Sequence, residues 1–146
     1  MKILVTGGTG YIGSHTAVEL LNADYDVVII DNLSNSHQSS IEGVEKITGK
    51  KVKFYKGDCC DLDFMKKTFE TEEFDGVIHF AASKMVGESV KKPLKYYKNN
   101  LLSLINILNL MTEFEVKDLV FSSSCSVYGQ ASSLPVTEET PLAPAE

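Results

Sequence analysis

The sequence predicts an α/β fold in which a doubly wound parallel sheet carries helices on both faces. Short runs rich in valine, isoleucine and phenylalanine alternate with longer amphipathic segments, which is the pattern of strand–helix–strand units. The short runs have polar residues or glycine at their ends, as is typical of buried parallel strands. A glycine-rich segment, residues 7–13, directly follows the first run. These observations predict a single sheet with right-handed crossovers.

Five strands and three helices follow from this pattern. The predicted strands are Lys2–Thr6, Asp26–Asp31, Val52–Lys56, Gly76–Phe80 and Asp118–Ser122. The predicted helices lie near Ile12–Asn22, Asp61–Glu70 and Pro93–Thr112. Apolar residues recur at three- and four-residue steps in the last helix, which predicts a stripe facing the core. The residues of this stripe are Leu101, Leu104, Ile105, Leu108 and Met111. The polar stretch Asn32–Ser40 is expected to form a loop.

The glycine segment has the spacing of a dinucleotide-binding loop. Gly8, Gly10 and Gly13 fit the pattern G-x-G-x-x-G, with Gly7 overlapping it, between a strand and a helix. One glycine permits a tight turn, a second lets the backbone approach a pyrophosphate, and a third lets the helix pack on the strand. The free N–H groups at the start of that helix then attract phosphate. The segment therefore predicts a Rossmann-type sheet that binds a dinucleotide.

An acidic residue ends the second strand, where such a site needs one. Asp31 follows Gly13 by eighteen residues, close to the roughly 20 expected of the carboxylate that binds the adenosine ribose. A carboxylate accepts hydrogen bonds from ribose hydroxyls but repels a 2′-phosphate, so Asp31 favours NAD over NADP. The alternative is an aspartate that only caps the following loop.

Composition excludes several classes of function. The net charge of −6 argues against nucleic-acid binding, and no apolar run is long and uncharged enough to span a bilayer. The N-terminus does not read as a signal peptide. The three cysteines give neither a disulfide framework nor metal-ligand spacing, so a reduced cytoplasmic compartment fits and no metal is expected. His79, within an apolar run, is predicted to be a core residue.

Four segments resemble a known family. Thr6–Gly13 is similar to the fingerprint of extended short-chain dehydrogenases/reductases. Three further segments narrow the match to the UDP-glucose 4-epimerases within it. They are Val77–Ala82, like the strand beneath the cofactor; Lys84–Val90 followed by Pro93, Leu94, Tyr96, Asn99 and Asn100; and Phe121–Gly129, like the strand of the catalytic serine. The likeness runs through the whole chain.

The resemblance implies that NAD stays tightly bound, takes hydride from C4 of UDP-galactose or UDP-glucose and returns it to the other face. It implies a cofactor site of Gly7, Gly10, Tyr11, Ile12 and Gly13 in the glycine loop, Asp31, Asn32, Asn35 and Ser36 around the adenosine ribose, Asp58 and Cys59 near adenine, and Phe80, Ala81, Ala82, Ser83, Lys84 and Asn99 at the fourth strand. It assigns Lys84 and the catalytic Ser124 to the substrate. Without the resemblance, Ser124 could cap a strand end and Lys84 could be a solvated lysine.

Ser124 fits the chemistry of that reaction, because a hydroxyl can donate to or accept from the sugar's C4 oxygen in both half-reactions. Nucleotide-sugar dehydratases of the family place Asp-Glu after this position. Here Cys125 and Ser126 follow, and neither side chain can supply the acid and base that elimination of water needs. Epimerisation is therefore favoured over dehydration.

The base of the family is the tyrosine of a Tyr-x-x-x-Lys motif, and none of the six tyrosines here has a lysine four positions later. We therefore expect residues 1–129 to form the NAD-binding domain, and 130–146 to be a proline-containing loop leading to a missing C-terminal part. The chain alone is expected to be inactive, and the longer enzyme to be a homodimer. Another nucleotide-sugar epimerase or reductase, or a non-enzymatic NAD-binding module, remains an alternative.

Overall fold

A computed structural model describes residues 1–144 and confirms the predicted α/β class. Its strands are β1 (Lys2–Thr6), β2 (Asp26–Asp31), β3 (Lys53–Lys56), β4 (Gly76–His79) and β5 (Asp118–Phe121). Its helices are α1 (Tyr11–Asn22), α2 (Ser39–Thr48), α3 (Leu62–Glu72), α4 (Val86–Lys91) and α5 (Pro93–Glu113), followed by a 3-10 turn at Cys125–Tyr128. The described residues after 129 form neither helix nor strand. No helix in the described part of the chain is long and apolar enough to cross a membrane.

The five strands form one parallel sheet in the order β3-β2-β1-β4-β5. Strand β1 lies at the centre and pairs with β2 on one side and with β4 on the other, so that Thr6 lies opposite both Ile30 and His79. The chain order reverses at β1, which makes the gap between β1 and β4 at the carboxyl edge the topological switch point. Ligands of doubly wound sheets bind at this point.

Two apolar layers cover the faces of the sheet. On one face, alternate residues of the central strands pack with Met65 and Phe69 of α3 and Ile107 and Leu110 of α5. On the other face, the remaining strand residues pack with Ala17 and Leu21 of α1 and with α2. Parallel strands buried on both sides explain why the sequence shows continuous apolar runs.

The predicted core-facing stripe of α5 is wrong. Of its five residues only Met111 is buried, whereas Leu101, Ile105 and Leu108 are 54%, 50% and 42% exposed. The buried side of α5 is instead formed by Tyr96, Ser103, Asn106, Ile107, Leu110 and Met111. The helix is apolar on two sides, and periodicity alone does not say which side meets the sheet.

Two helices were absent from the sequence-based prediction. Helix α2 begins at Ser39, within the expected Asn32–Ser40 loop, and buries Ile41 and Val44. Its glycine and β-branched residues give it a low helix propensity, so tertiary packing decides its conformation. Helix α4 has six residues, none of them buried, and therefore no apolar periodicity to detect.

Candidate active site

The glycine loop turns sharply between β1 and α1 and packs against the end of β4. Gly7 has a φ of +68°, which glycine adopts without strain, and its N–H donates to the carbonyl of Ile30 at 2.8 Å. A Cβ on Gly7 would lie 2.8 Å from the backbone nitrogen of Ala81, and one on Gly13 would lie 2.4 Å from the Gly7 oxygen. Side chains at these positions would fill or distort the cradle.

The N-terminus of α1 opens at this cradle. The backbone N–H of Ser14 donates to the carbonyl of Gly10 at 2.9 Å, which leaves the N–H groups of the preceding turn outside the helix ladder. Within residues 1–144, no side chain caps this end. Tyr11 and Ile12 are exposed here. The helix start therefore presents free donors and a positive dipole end, which favour phosphate.

The carboxylate of Asp31 is held by the two loops that flank it. Its Oδ1 accepts from the backbone N–H of Leu33 at 2.9 Å and from Ser36 Oγ at 3.0 Å. Its Oδ2 accepts from the N–H of Thr9 in the glycine loop at 3.2 Å. Thr9 Oγ1 also contacts Ser36 Oγ at 2.7 Å. The carboxylate is therefore preorganised beside the glycine loop.

A side-chain hydrogen bond joins the loops that follow β2 and β3. Asn32 Nδ2 donates to Asp58 Oδ2 at 3.2 Å, and Asp58 Oδ1 accepts from the N–H of Cys60 at 2.8 Å. Asn35 is exposed in the same loop region. The Cys59 side chain is buried, and burial raises the pKa of its thiol to about 12. Cys59 can therefore offer only backbone groups at this edge.

On the other side of β1, a buried pair holds the end of β4. The N–H of Phe80 donates to the Thr6 carbonyl at 3.1 Å, and the N–H of Ala81 approaches Thr6 Oγ1 at 3.4 Å. Thr6 Oγ1 lies 2.6 Å from His79 Nδ1. Burial lowers the pKa of His79 to about 4, so the imidazole is neutral near pH 7 and shares one hydrogen bond with the Thr6 hydroxyl. His79 is the predicted core histidine.

Beyond Ala81, the loop after β4 is fastened to α5. The N–H of Ser83 donates to Asn100 Oδ1 at 2.8 Å, and Asn100 Nδ2 donates to the Ser83 carbonyl at 3.0 Å. Asn99 Nδ2 donates to the same Asn100 oxygen at 2.9 Å. Ala82 and Lys84, on either side of Ser83, are exposed.

Ser124 lies beyond β5 in an exposed turn. Its Oγ accepts from the N–H of Ser126 at 3.2 Å and contacts Ser126 Oγ at 2.6 Å. The segment joins the β4 end through the N–H of Ser122, which donates to the His79 carbonyl at 3.1 Å. Cys125 is exposed. In the described residues, no hydrogen bond joins Ser124 directly to the glycine loop or to Lys84.

Together these groups fit a dinucleotide that lacks a 2′-phosphate. The glycine cradle and the α1 N-terminus suit a pyrophosphate, and the fixed Asp31 carboxylate would repel a phosphate on the neighbouring ribose. Sequence reasoning missed Thr6, Thr9 and Asn100, which hold the predicted residues in place. A signal for Asn100 existed, because it lies at helical spacing from the buried Tyr96 and Ser103. No group of three metal-ligating side chains occurs within the described chain.

Comparison with known proteins gives consistent matches. A family model described as GDP-mannose 4,6 dehydratase matches residues 4–146. The chain is 52% identical to the UDP-glucose 4-epimerase of Dictyostelium discoideum over 141 residues, which are 97% of this chain and 41% of that protein. It is 51% identical to the Bacillus subtilis UDP-glucose 4-epimerase, again over 97% of this chain and 42% of that protein. The chain thus spans about two fifths of these relatives.

Solved structures show the same likeness. The UDP-glucose 4-epimerase from Bifidobacterium longum, in complex with NAD+ and UDP, superposes with a TM-score of 0.92 at 51% identity, covering 98% of this chain and 43% of that one. The enzyme from Stenotrophomonas maltophila, with bound NAD and formylated UDP-arabinopyranose, gives a TM-score of 0.90 at 44% identity, over 98% and 43%.

Proposed function

This chain belongs to the GDP-mannose 4,6 dehydratase family, and from that premise we propose that it is the NAD-binding part of a UDP-glucose 4-epimerase. The intact enzyme would interconvert UDP-galactose and UDP-glucose for galactose metabolism in the cytoplasm. One observation carries the proposal: the glycine cradle, the α1 N-terminus and the fixed Asp31 carboxylate lie side by side at the carboxyl edge of the sheet, next to its switch point. The similarity to epimerases supports it.

The described residues divide the proposed cofactor site into two halves. Gly7, Gly10, Gly13 and the N–H groups of Tyr11 and Ile12 would hold the pyrophosphate. The adenosine half would lie over β2 and β3, against Asp31, Asn32, Asn35, Ser36, Asp58 and Cys59. The other half would lie along Phe80, Ala81, Ala82, Ser83, Lys84 and Asn99. When bound, NAD supplies reversible hydride transfer.

On the substrate side, Ser124 would hydrogen-bond the C4 oxygen of the sugar and Lys84 would contribute a charged donor. A hydroxyl suits both half-reactions because it donates or accepts as the oxygen changes between alcohol and carbonyl. The family takes its description from a dehydratase. In this chain, however, the side chains of Cys125 and Ser126 supply no acid–base pair for loss of water. The proposed reaction is therefore epimerisation.

We expect the 146 residues alone to be inactive. None of their tyrosines is followed four positions later by lysine, so they provide no tyrosine base for the hydroxyl proton. The test is turnover of UDP-galactose, UDP-glucose and other nucleotide sugars by the purified chain with NAD. Appreciable turnover of any of them would contradict this expectation.

We also propose that the longer enzyme is a homodimer. An exposed apolar stripe on α5, here called the α5 stripe, supports this proposal: Leu94, Tyr97, Leu101, Ile105 and Leu108. Its three- and four-residue spacing is that of a helix–helix interface.

The proposed cytoplasmic location is supported by three free cysteines.

The cofactor assignment is tested by calorimetric titration of the chain with NAD and NADP. We expect NAD to bind more tightly than NADP. Asp31→Asn should weaken the affinity for NAD by roughly tenfold and reduce the difference in affinity between NAD and NADP. Asp26→Asn, an exposed aspartate at the opposite end of β2, is the matched control. A preference for NADP in the wild-type chain would remove Asp31 from the ribose site.

A further inference from the structure

We propose that Asn100 is a positioning residue that holds the loop after β4 in the conformation required by the half of NAD remote from adenosine. This inference rests on the proposed function. Asn100 is half-buried on α5, and its side-chain amide bonds both backbone polar groups of one residue, Ser83. The residue is not among the sequence-predicted cofactor contacts, although its neighbour Asn99 is.

The orientation of the Asn100 amide follows from its partners. Its oxygen accepts two N–H groups, from Ser83 at 2.8 Å and from Asn99 Nδ2 at 2.9 Å. Its nitrogen donates to the Ser83 carbonyl at 3.0 Å. Exchanging oxygen and nitrogen would set donor against donor on one side and place two oxygens together on the other. Only an amide at this position satisfies the whole set.

The place of Ser83 in the fold explains why this matters. Residues 80–85, between β4 and α4, belong to no helix or strand, and the bonds to Thr6 of β1 end at Ala81. The Asn100 clamp therefore supplies hydrogen bonds that regular structure would otherwise provide. The loop lies across β1 from Asp31. A dinucleotide that spans the switch point would thus meet this loop with the part that does not include adenosine.

A second asparagine of α5 holds the loop after β3, on the adenosine side of the proposed site. Asn106, buried on the same helix, donates to the carbonyl of Cys59 at 3.0 Å, beside the proposed adenine position. Asn100 and Asn106 thus brace different loops. Changes at Asn100 should therefore affect NAD without affecting a ligand that contains only the adenosine half.

The experiment uses three variants of the 146-residue chain. Asn100→Ala removes both bonds to Ser83, and Asn100→Asp keeps the acceptor but places an oxygen against the Ser83 carbonyl. Asn109→Ala, at an exposed position of α5, is the matched control for the change in helix propensity. Affinities for NAD and AMP are measured by titration, thermal midpoints by calorimetry, and protection of the Ser83 amide by hydrogen exchange followed by NMR without ligand.

We expect both Asn100 variants to bind NAD roughly tenfold more weakly than Asn109→Ala, with AMP affinity within about twofold. The Ser83 amide should exchange at least about tenfold faster in Asn100→Ala. Equal weakening of AMP and NAD would indicate a general structural defect and overturn the proposal. So would unchanged NAD affinity alongside a deprotected Ser83 amide. If the wild-type chain bound AMP but not NAD, the proposed function would fail, whereas the exchange measurement would still report on the clamp.

Discussion

At the scale of single residues, two helical glycines on the same side of the sheet differ in the space available for a side chain. Gly13 in α1 has no room for a side chain, because a Cβ would lie 2.4 Å from the carbonyl oxygen of Gly7. Gly43 in α2 has no atom within 4 Å of the same ideal position. The first glycine is required by close approach of the glycine loop, and the second is not.

We therefore expect Gly13→Ala and Gly43→Ala to have effects of opposite sign. Gly13→Ala should displace the loop, destabilise the fold by about 2 kcal/mol and abolish measurable NAD binding. Gly43→Ala should stabilise the chain by about 0.5–1 kcal/mol, because alanine has the higher helix propensity. Urea unfolding and NAD titration of both variants test this. Tight NAD binding by Gly13→Ala would show that the cradle is not used.

His79 gives stability a specific dependence on pH. Its pKa is about 4 in the folded chain, lowered by burial from 6.5. As the pH falls from 6.5 towards 4, the unfolded state takes up a proton that the folded state does not. The free energy of unfolding should therefore decrease over this range, by about 3 kcal/mol in total. Above pH 6.5 the contribution of the neutral His79 to stability is complete.

Urea unfolding between about pH 7 and pH 5 measures this effect. Carboxylates with lowered pKa values, such as Glu88 beside Lys95, lose their contribution only below pH 4.5, so this interval isolates the histidine. His79→Gln should remove most of the slope. A variant that kept the full slope would show that another group is responsible.

At the level of residues, the sequence located Asp31 at the carboxyl edge of the sheet, and its role at the ribose stays a prediction. Asp31 was identified by its place at the end of a strand after a glycine loop, and the structure shows its carboxylate at that edge. Thr9 and Asn100 were missed because their partners are distant in sequence. Asn100 bonds Ser83 seventeen positions away. Its helical spacing from the buried Tyr96 and Ser103 indicates its side of α5 but does not identify Ser83 as its partner.

At the scale of elements, helix α3 is tied to the sheet by a buried carboxylate. Glu72 is 1% exposed. It accepts hydrogen bonds from Lys53 Nζ at 2.6 Å, from the Tyr55 hydroxyl and, more distantly, from Lys2 Nζ at 3.4 Å. It therefore joins the end of α3 to the starts of β1 and β3, at the edge opposite the proposed site.

Glu72→Ala should destabilise the chain by about 2 kcal/mol, because it removes the common acceptor of three donors. Glu70→Ala, an exposed glutamate on the same helix, should change stability by less than about 0.5 kcal/mol. Chemical unfolding of the two variants measures the difference. Equal effects would mean that the network around Glu72 contributes little.

The strands were more predictable than the helices, for a physical reason. The three central strands are buried on both faces and need continuous apolar runs. The two edge strands are short but still contain adjacent aromatic or aliphatic residues, so the sequence pattern predicted all five. A helix buries one side only. In α5 two apolar sides compete, and the sequence-based stripe selected the side that is exposed in the structure.

At the scale of the whole molecule, apolar surface is exposed at several places in the described part of the chain, and two of them lie on helix α5 and on edge strand β5. One is the α5 stripe. The other is β5, where Val120 and Phe121 are 59% and 50% exposed. Large apolar patches on a protein surface usually mark sites of association.

We expect the chain to self-associate through the α5 stripe. Sedimentation velocity should show a concentration-dependent species larger than 16.1 kDa, and the double variant Leu101→Lys/Ile105→Lys should be monomeric. Ile47→Lys, an exposed position on α2, is the control. If the double variant associated like the control, the interface would lie elsewhere, with β5 as the next candidate.

The central position of β1 also affects the order in which the chain folds. Pairing of β1 with β2, and of β2 with β3, needs only the first 56 residues, whereas pairing of β1 with β4 joins Ile3 to Gly76. Pairings between residues far apart in sequence form slowly, because they require closure of a long loop. During synthesis the part of the adenosine half formed by Asp31 and Ser36 can therefore assemble first. The loop fastened by Asn100 follows only when the ribosome has released α5.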